Sequence, residues 1–284
     1  QEGDVRGGRV SLSGADANTL SRRFFAIMGL GLDGRTAIVA GARRGIGKYV
    51  ALELAREGCN SASCARTEAD LEAAADEVRA EGAEVLALPM DVTEAGEPER
   101  LVEDTYDRFG RIDTYVGNVG GNRRGDFEEL SDEDWEDLIN LNFMSHVRVS
   151  RAAIPHMRKV DGASICYISS IFGRELGGAG LSLYNTTKSA LISVSKVMAQ
   201  ELAPEVRVNS VAPGSIRFPG GSWDQRVEET PEEMEQFVQE NIAIERFGRA
   251  TEVADAVTFL CSERASLITG ACINVDGGQS HSLI

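Results

Sequence analysis

The stretch TAIVAGARRGIGKYVALEL, Thr36 to Leu54, limits the fold more than any other part of this chain. "TAIVA" is a short apolar run beside a glycine, the pattern of a strand buried on both faces of a parallel sheet. Ile46, Val50 and Leu54 then recur every fourth residue, the spacing of one helix face. Between strand and helix, Gly41, Gly45 and Gly47 give G-x-x-x-G-x-G. Glycine lets the chain turn sharply and lets its backbone approach a ligand closely. A helix that starts at such a turn points free N–H groups, and the positive end of its dipole, at whatever lies there. A pyrophosphate suits that place. A strand, a glycine turn and a helix at the head of a βαβ series therefore read as a dinucleotide cradle built on Gly41, Gly45, Ile46 and Gly47.

The same alternation runs to the end of the chain. "NSASCA" precedes an acidic helix over about 67–81, "EVLAL" a helix over about 97–109, and "IDTYV" a long helical region over about 131–159. "ASICYI" precedes a helix that carries Tyr184, and "VRVNSV" and "ACINV" close the series. Seven strands alternating with helices predict an α/β fold. It is a doubly wound, mostly parallel seven-stranded sheet with helices on both faces, joined by right-handed crossovers. No linker divides it, so 33–284 reads as a single domain and 1–32 as an N-terminal arm or extension. Only 217–247 departs from the pattern. Gly220 and Gly221 read as a hinge there, and Pro231 followed by two glutamates as a helix start. We read this stretch as a lid over the substrate, with Phe218, Trp223, Met234 and Phe237 as candidate walls.

Composition excludes some functions. A net charge of −16 argues against nucleic-acid binding, which depends on basic patches. No apolar run is long enough to span a membrane. The five cysteines lack metal-like spacing and read as buried free thiols, which points to a reducing, cytoplasmic setting. His146, His156 and His281 form no ligand pattern, so no metal site is expected. Charge also bears on the dinucleotide. The second strand ends "CAR", with Arg66 where NAD binders place a carboxylate for the ribose 2′-hydroxyl. Arg43 and Arg44 lie inside the glycine turn. Guanidinium groups clamp a 2′-phosphate with paired hydrogen bonds, which favours NADP(H), with NAD(H) as the alternative.

The ordered set of motifs resembles the short-chain dehydrogenase/reductase family over roughly residues 33–279, and that resemblance implies the Rossmann fold. "DVT" at 91–93 resembles the segment that contacts adenine, bringing in Asp91 and Val92. "GNVG" at 117–120 resembles the family's Asn-Asn-Ala-Gly element, bringing in Asn118, Val119 and Gly120. Asn142 falls where the family has its helix asparagine. "YISS" carries Ser170, and "YNTTK" is the Tyr-x-x-x-Lys pair of Tyr184 and Lys188. "APGSI" resembles the loop beside the nicotinamide, with Pro213, Gly214 and Ile216. There are departures. Ala40 replaces a usual threonine, and Gly117 and Val119 replace Asn and Ala. The Ser170–Tyr184 interval is one residue longer than is commonest, and the threonine that usually follows the "APGSI" loop is missing.

The resemblance implies that a ketone and a secondary alcohol are interconverted, for example as a 3-oxoacyl thioester reductase. A steroid-like or sugar-derived alcohol is another substrate class. The rival class is a protein that binds NADP(H) without turnover. Tyr184 is expected to pass a proton, and Lys188, one helical turn on, to lower the phenol's pKa from about 10. Lys188 would also hold the nicotinamide ribose, Ser170 the substrate oxygen, and Asn142 a water linking Lys188 to solvent. A homotetramer is expected by analogy.

Overall fold

The computed structural model describes residues 29–283, so most of the segment read as an arm lies outside the described residues. All seven expected strands form: β1 (Thr36–Ala40), β2 (Asn60–Ala65), β3 (Val85–Pro89), β4 (Thr114–Gly117), β5 (Ala163–Ile168), β6 (Val206–Pro213) and, near the end of the chain, Cys272–Val275. They make one parallel sheet in the order β3, β2, β1, β4, β5, β6 and the last strand. Helices α1 (Gly45–Arg56), α2 (Glu68–Ala80) and α3 (Glu97–Phe109) return the chain in the first half. Helices α4 (Asp132–Ile139), α5 (Ser145–Met157) and α6 (Ser182–Glu201) follow in the second.

Each strand feeds two cores because alternate side chains point to opposite faces. Ala37 and Val39 of β1 join Val50, Leu54, Val253 and Val257 in one core. Ile38 and Ala40 join Leu101, Tyr115, Val149 and Leu191 in the other. Leu191, Val194, Met198 and Leu202, spaced as a core or interface stripe on α6, pack into this second core. Leu32 is buried in the first core and Leu30 packs against it.

The helical region expected as one piece over 131–159 is two helices joined by a π turn at Asn140–Met144. Its start is well defined. The Ser131 side chain accepts from the Asp134 N–H, and the Asp134 carboxylate accepts from the Ser131 N–H.

The stretch 217–247 holds two short helices, α7 (Ser222–Glu229) and α8 (Pro231–Asn241), the second starting at Pro231 as expected. Its flanks pair with each other. β7 (Ile216–Arg217) runs parallel to β8 (Gly248–Arg249), so the excursion is fastened at both ends by a two-residue ladder. Helix α9 (Ala250–Cys261) then packs on α1, and the last strand, β9 (Cys272–Val275), closes the sheet. Cys59, Cys64, Cys166 and Cys261 are buried free thiols, and Cys272 is half-buried.

Candidate active site

Strand order reverses between β1 and β4, and the crevice at their carboxyl ends is where open α/β sheets bind ligands. The glycine turn lies at its lip. Gly41 has φ +79° and Gly45 φ +56°, the left-handed region where a side chain would be strained. Gly47 matters for space: a Cβ there would sit 2.4 Å from the Gly41 carbonyl oxygen. Asn118, at the end of β4, donates to that same oxygen at 2.9 Å and ties the two strand ends together. The first turn of α1 has no acidic residue and no side-chain cap, so its N–H groups suit an anion. These features fit the pyrophosphate of a dinucleotide.

Gly41, Arg43, Arg44, Gly45, Ile46, Arg66, Asp91, Val92, Asn118, Val119 and Gly120 all line one cleft above this turn. Gly47 lies behind it, buried against Gly41. Each of the three arginines also has a protein partner. Arg43 pairs with Asp70 at 2.8 Å, Arg66 faces Asp91 at 3.7 Å, and Arg44 donates to the Gly220 carbonyl at 3.1 Å. One Asp91 oxygen is held by the Thr93 N–H and hydroxyl.

A second cleft continues from the first. Ser170, Tyr184, Lys188, Pro213, Gly214 and Ile216 line it, and it shares Ile46, Asn118, Gly120 and Phe218 with its neighbour. Tyr184 and Lys188 lie one turn apart on α6 and face the same volume, with the ammonium 5.7 Å from the phenol ring centroid. Lys188 is buried and donates to the Ile168 carbonyl at 2.8 Å. The two serines after β5 divide their work. The Ser169 hydroxyl donates to the Lys188 carbonyl at 2.8 Å, which ties α6 to the sheet. Ser170 accepts from the Phe172 N–H and stands beside the phenol.

The electrostatics differ from the expectation. Burial raises the Tyr184 pKa, opposed only by the Ser170 hydroxyl, and burial lowers Lys188 to about 8. Desolvation is the leading cause for both groups, and one of the three ammonium protons is committed to the Ile168 carbonyl.

Asn142 does not line the cleft. It sits fully buried in the π turn. Its carbonyl accepts from the Gly121 N–H at 2.8 Å, and its amide donates to the Gly121 oxygen and the Thr187 hydroxyl. It thus braces the loop after β4 against α6. The spare capacity of its side chain is one lone pair on the carbonyl oxygen.

His146, one of three histidines whose spacing shows no ligand pattern, has a structural place here. It is buried, its Nε2 lies 2.8 Å from the Val119 oxygen and its Nδ1 3.0 Å from the Tyr115 hydroxyl. A Cβ on Gly117 would lie 2.8 Å from both this ring and the Tyr167 ring. Gly117, a departure from the family pattern, is therefore the space that His146 and Tyr167 fill. Of the four lid candidates, Phe218 and Trp223 line the catalytic cleft, and Met234 and Phe237 do not. Phe237 stacks behind Trp223, ring centroids 4.9 Å apart.

The family model described as Enoyl-(Acyl carrier protein) reductase matches residues 40–280. The 3-oxoacyl-(acyl-carrier-protein) reductase FabG of Staphylococcus aureus is 33% identical over 247 residues, 86% of this chain and 98% of the relative. A solved short-chain dehydrogenase/reductase from Serratia marcescens superposes with a TM-score of 0.81 at 33% identity, covering 88% of this chain and 99% of the other. A 7α-hydroxysteroid dehydrogenase complexed with NADH and 7-oxo glycochenodeoxycholic acid gives 0.82 at 29% identity, covering 90% and 98%.

Proposed function

The chain belongs to the short-chain dehydrogenase/reductase family, as an oxidoreductase acting on CH–OH with a nicotinamide cofactor, and on that premise we propose that it interconverts a ketone and a secondary alcohol with NADP(H). One observation carries the reading: Ser170, Tyr184 and Lys188 line a cleft continuous with the one over the glycine turn. The cofactor supplies the hydride. Ser170 hydrogen-bonds the carbonyl oxygen and holds it against Tyr184. As the carbonyl carbon gains its hydrogen, the phenolic proton passes to the oxygen and leaves a phenolate beside the Lys188 ammonium. Asn142 acts as a positioning residue, since it ties Gly121 of the loop after β4 to Thr187, the residue before the lysine.

NADP(H) is favoured by Arg43, Arg44 and Arg66 in the first cleft and by the lack of a carboxylate at the end of β2. A 3-oxoacyl thioester is the first substrate class to try, because the S. aureus relative is a 3-oxoacyl-(acyl-carrier-protein) reductase. Ile171, Phe172, Leu181 and Trp223 give the second cleft apolar walls, which also suit an alicyclic ketone. A homotetramer in the cytoplasm completes the reading. The family commonly assembles that way, and five unpaired thiols suit a reducing compartment.

The test is NADPH consumption against thioester and alicyclic ketones, with Tyr184→Phe beside the wild type. The variant is expected to lose about 10³-fold in kcat/KM while it still binds NADPH. Tight NADPH binding without turnover on any ketone would favour a cofactor-sensing protein instead.

A further inference from the structure

The catalytic cleft differs in charge from the rest of the molecule. Of the chain's 284 residues, 45 are acidic, yet none of the residues lining this cleft is Asp or Glu. Its charged lining is Lys188, Arg124 and Arg226. Lys188 is at the buried end, whereas both arginines are exposed and stand at the mouth.

Two separate pieces of chain deliver these arginines. Arg124 lies on the loop after β4, next to Gly125, whose N–H donates to the Gly180 carbonyl at 3.3 Å and joins that loop to the one after Ser170. Arg226 lies on α7 with its guanidinium 5.0 Å from the Trp223 ring centroid. Asp224 steadies the approach to α7 by accepting from the Gly220 N–H and from Arg217. Among the described residues, neither Arg124 nor Arg226 pairs with a carboxylate through its side chain. In a chain of net charge −16, unpaired guanidinium groups facing an acid-free cleft leave their charge for a ligand. The cofactor's phosphates have their own cleft, lined by Arg43, Arg44 and Arg66 and by neither of these two.

Building on the ketone-reductase reading, we propose that the substrate carries an oxoanion set back from its carbonyl, and that Arg124 and Arg226 bind it at the cleft mouth. The oxoanion is either a carboxylate on the ketone itself or a phosphate on the arm of a thioester. Both present paired oxygens that a guanidinium fork can hold.

The experiment compares kcat/KM within two matched pairs. One is an alicyclic keto acid and its carboxamide. The other is a 3-oxoacyl-coenzyme A and the uncharged N-acetylcysteamine thioester of the same acyl group. The charged member of one pair is expected to be preferred by about tenfold or more. That preference is expected to fall about tenfold in Arg124→Gln and in Arg226→Gln, and further in the double variant. Arg158→Gln, which removes an exposed guanidinium outside the cleft, should keep it. The pair that responds tells a carboxylate from a phosphate. A preference near one in both pairs, or one that the two variants leave unaltered, overturns the proposal. So does an equal rise in the KM for NADPH, which would assign these arginines to the cofactor. Failure to turn over any of the four compounds would overturn the reductase reading beneath it.

Discussion

Acid should unfold this protein in part through one histidine. The Val119 carbonyl can only accept, so His146 carries its proton on Nε2, and Nδ1 accepts from the Tyr115 hydroxyl. A second proton would turn Nδ1 into a donor, so the Tyr115 hydroxyl would have to turn and accept, and its own proton would lose the Nδ1 acceptor. The second proton would also place a cation in a buried site that already feels Lys188. Burial first, and Lys188 second, hold the His146 pKa at about 3 against an ordinary 6.5. A histidine depressed in the native state is protonated first in the unfolded chain. Stability is therefore lost as pH falls through 6.5, and the loss continues down to about 3. Between pH 7 and pH 5 the unfolded chain gains about 0.7 proton at this site and the native chain almost none, which costs about 2 kcal/mol. Urea unfolding at pH 7, 6 and 5 and fixed protein concentration reads this directly, with His146→Gln as the non-titrating reference. The wild type is expected to lose about 2 kcal/mol more than the variant over that range. Parallel losses within about 0.5 kcal/mol would mean that the native site accepts the proton, and the argument from the Val119 and Tyr115 contacts would be wrong.

Arg44→Ala and Arg66→Ala should each weaken NADPH about tenfold more than NADH by titration, and equal losses would remove both from the 2′-phosphate. Lys188 is depressed from 10.5 to about 8 in the native state, so above pH 8 the unfolded chain keeps a proton that the native chain has released. Its contribution to stability should rise between pH 8 and 10.5, and Lys188→Met should lose that rise in denaturant titrations.

The sheet was legible because buried parallel strands are apolar runs that need no partner information. Even "NSASCA", with buried Ser61 and Ser63, took its place between β1 and β3 by its position in the alternation. The π turn at Asn140–Met144 was not legible, because one extra residue in a helical turn leaves the surrounding spacing almost intact. Two-residue strands carry no period, so β7 and β8 escaped notice. Within the site, residues fixed by their own segment were legible: the glycine turn from strand to helix, and Tyr184 with Lys188 from i to i+4. Residues whose meaning depends on a distant segment were not. His146 read only as one of three histidines without a ligand pattern, and Gly117 as a plain departure from the family. Only their contact reveals that one fills the space the other leaves. Arg124 and Arg226 are about a hundred residues apart in the chain, and only the fold makes them line one cleft.

The protonation of Tyr184 bears on direction. The sequence suggested a phenol made acidic by its lysine. The folded site does the opposite, raising the phenol and lowering the ammonium to about 8. At neutral pH the phenol then holds its proton, and Lys188, still below its pKa, remains mostly charged. That pair of states is the one carbonyl reduction consumes, since the proton leaves Tyr184 as the alkoxide forms. The Lys188 charge is worth most after the transfer, when it stands beside a phenolate in a dry site. A cation whose attraction grows as the reaction proceeds lowers the barrier; one already neutralised by a phenolate in the resting site would stabilise the ground state as well. The burial that keeps the phenol protonated beside a charged ammonium is therefore what reserves their attraction for the reacting state.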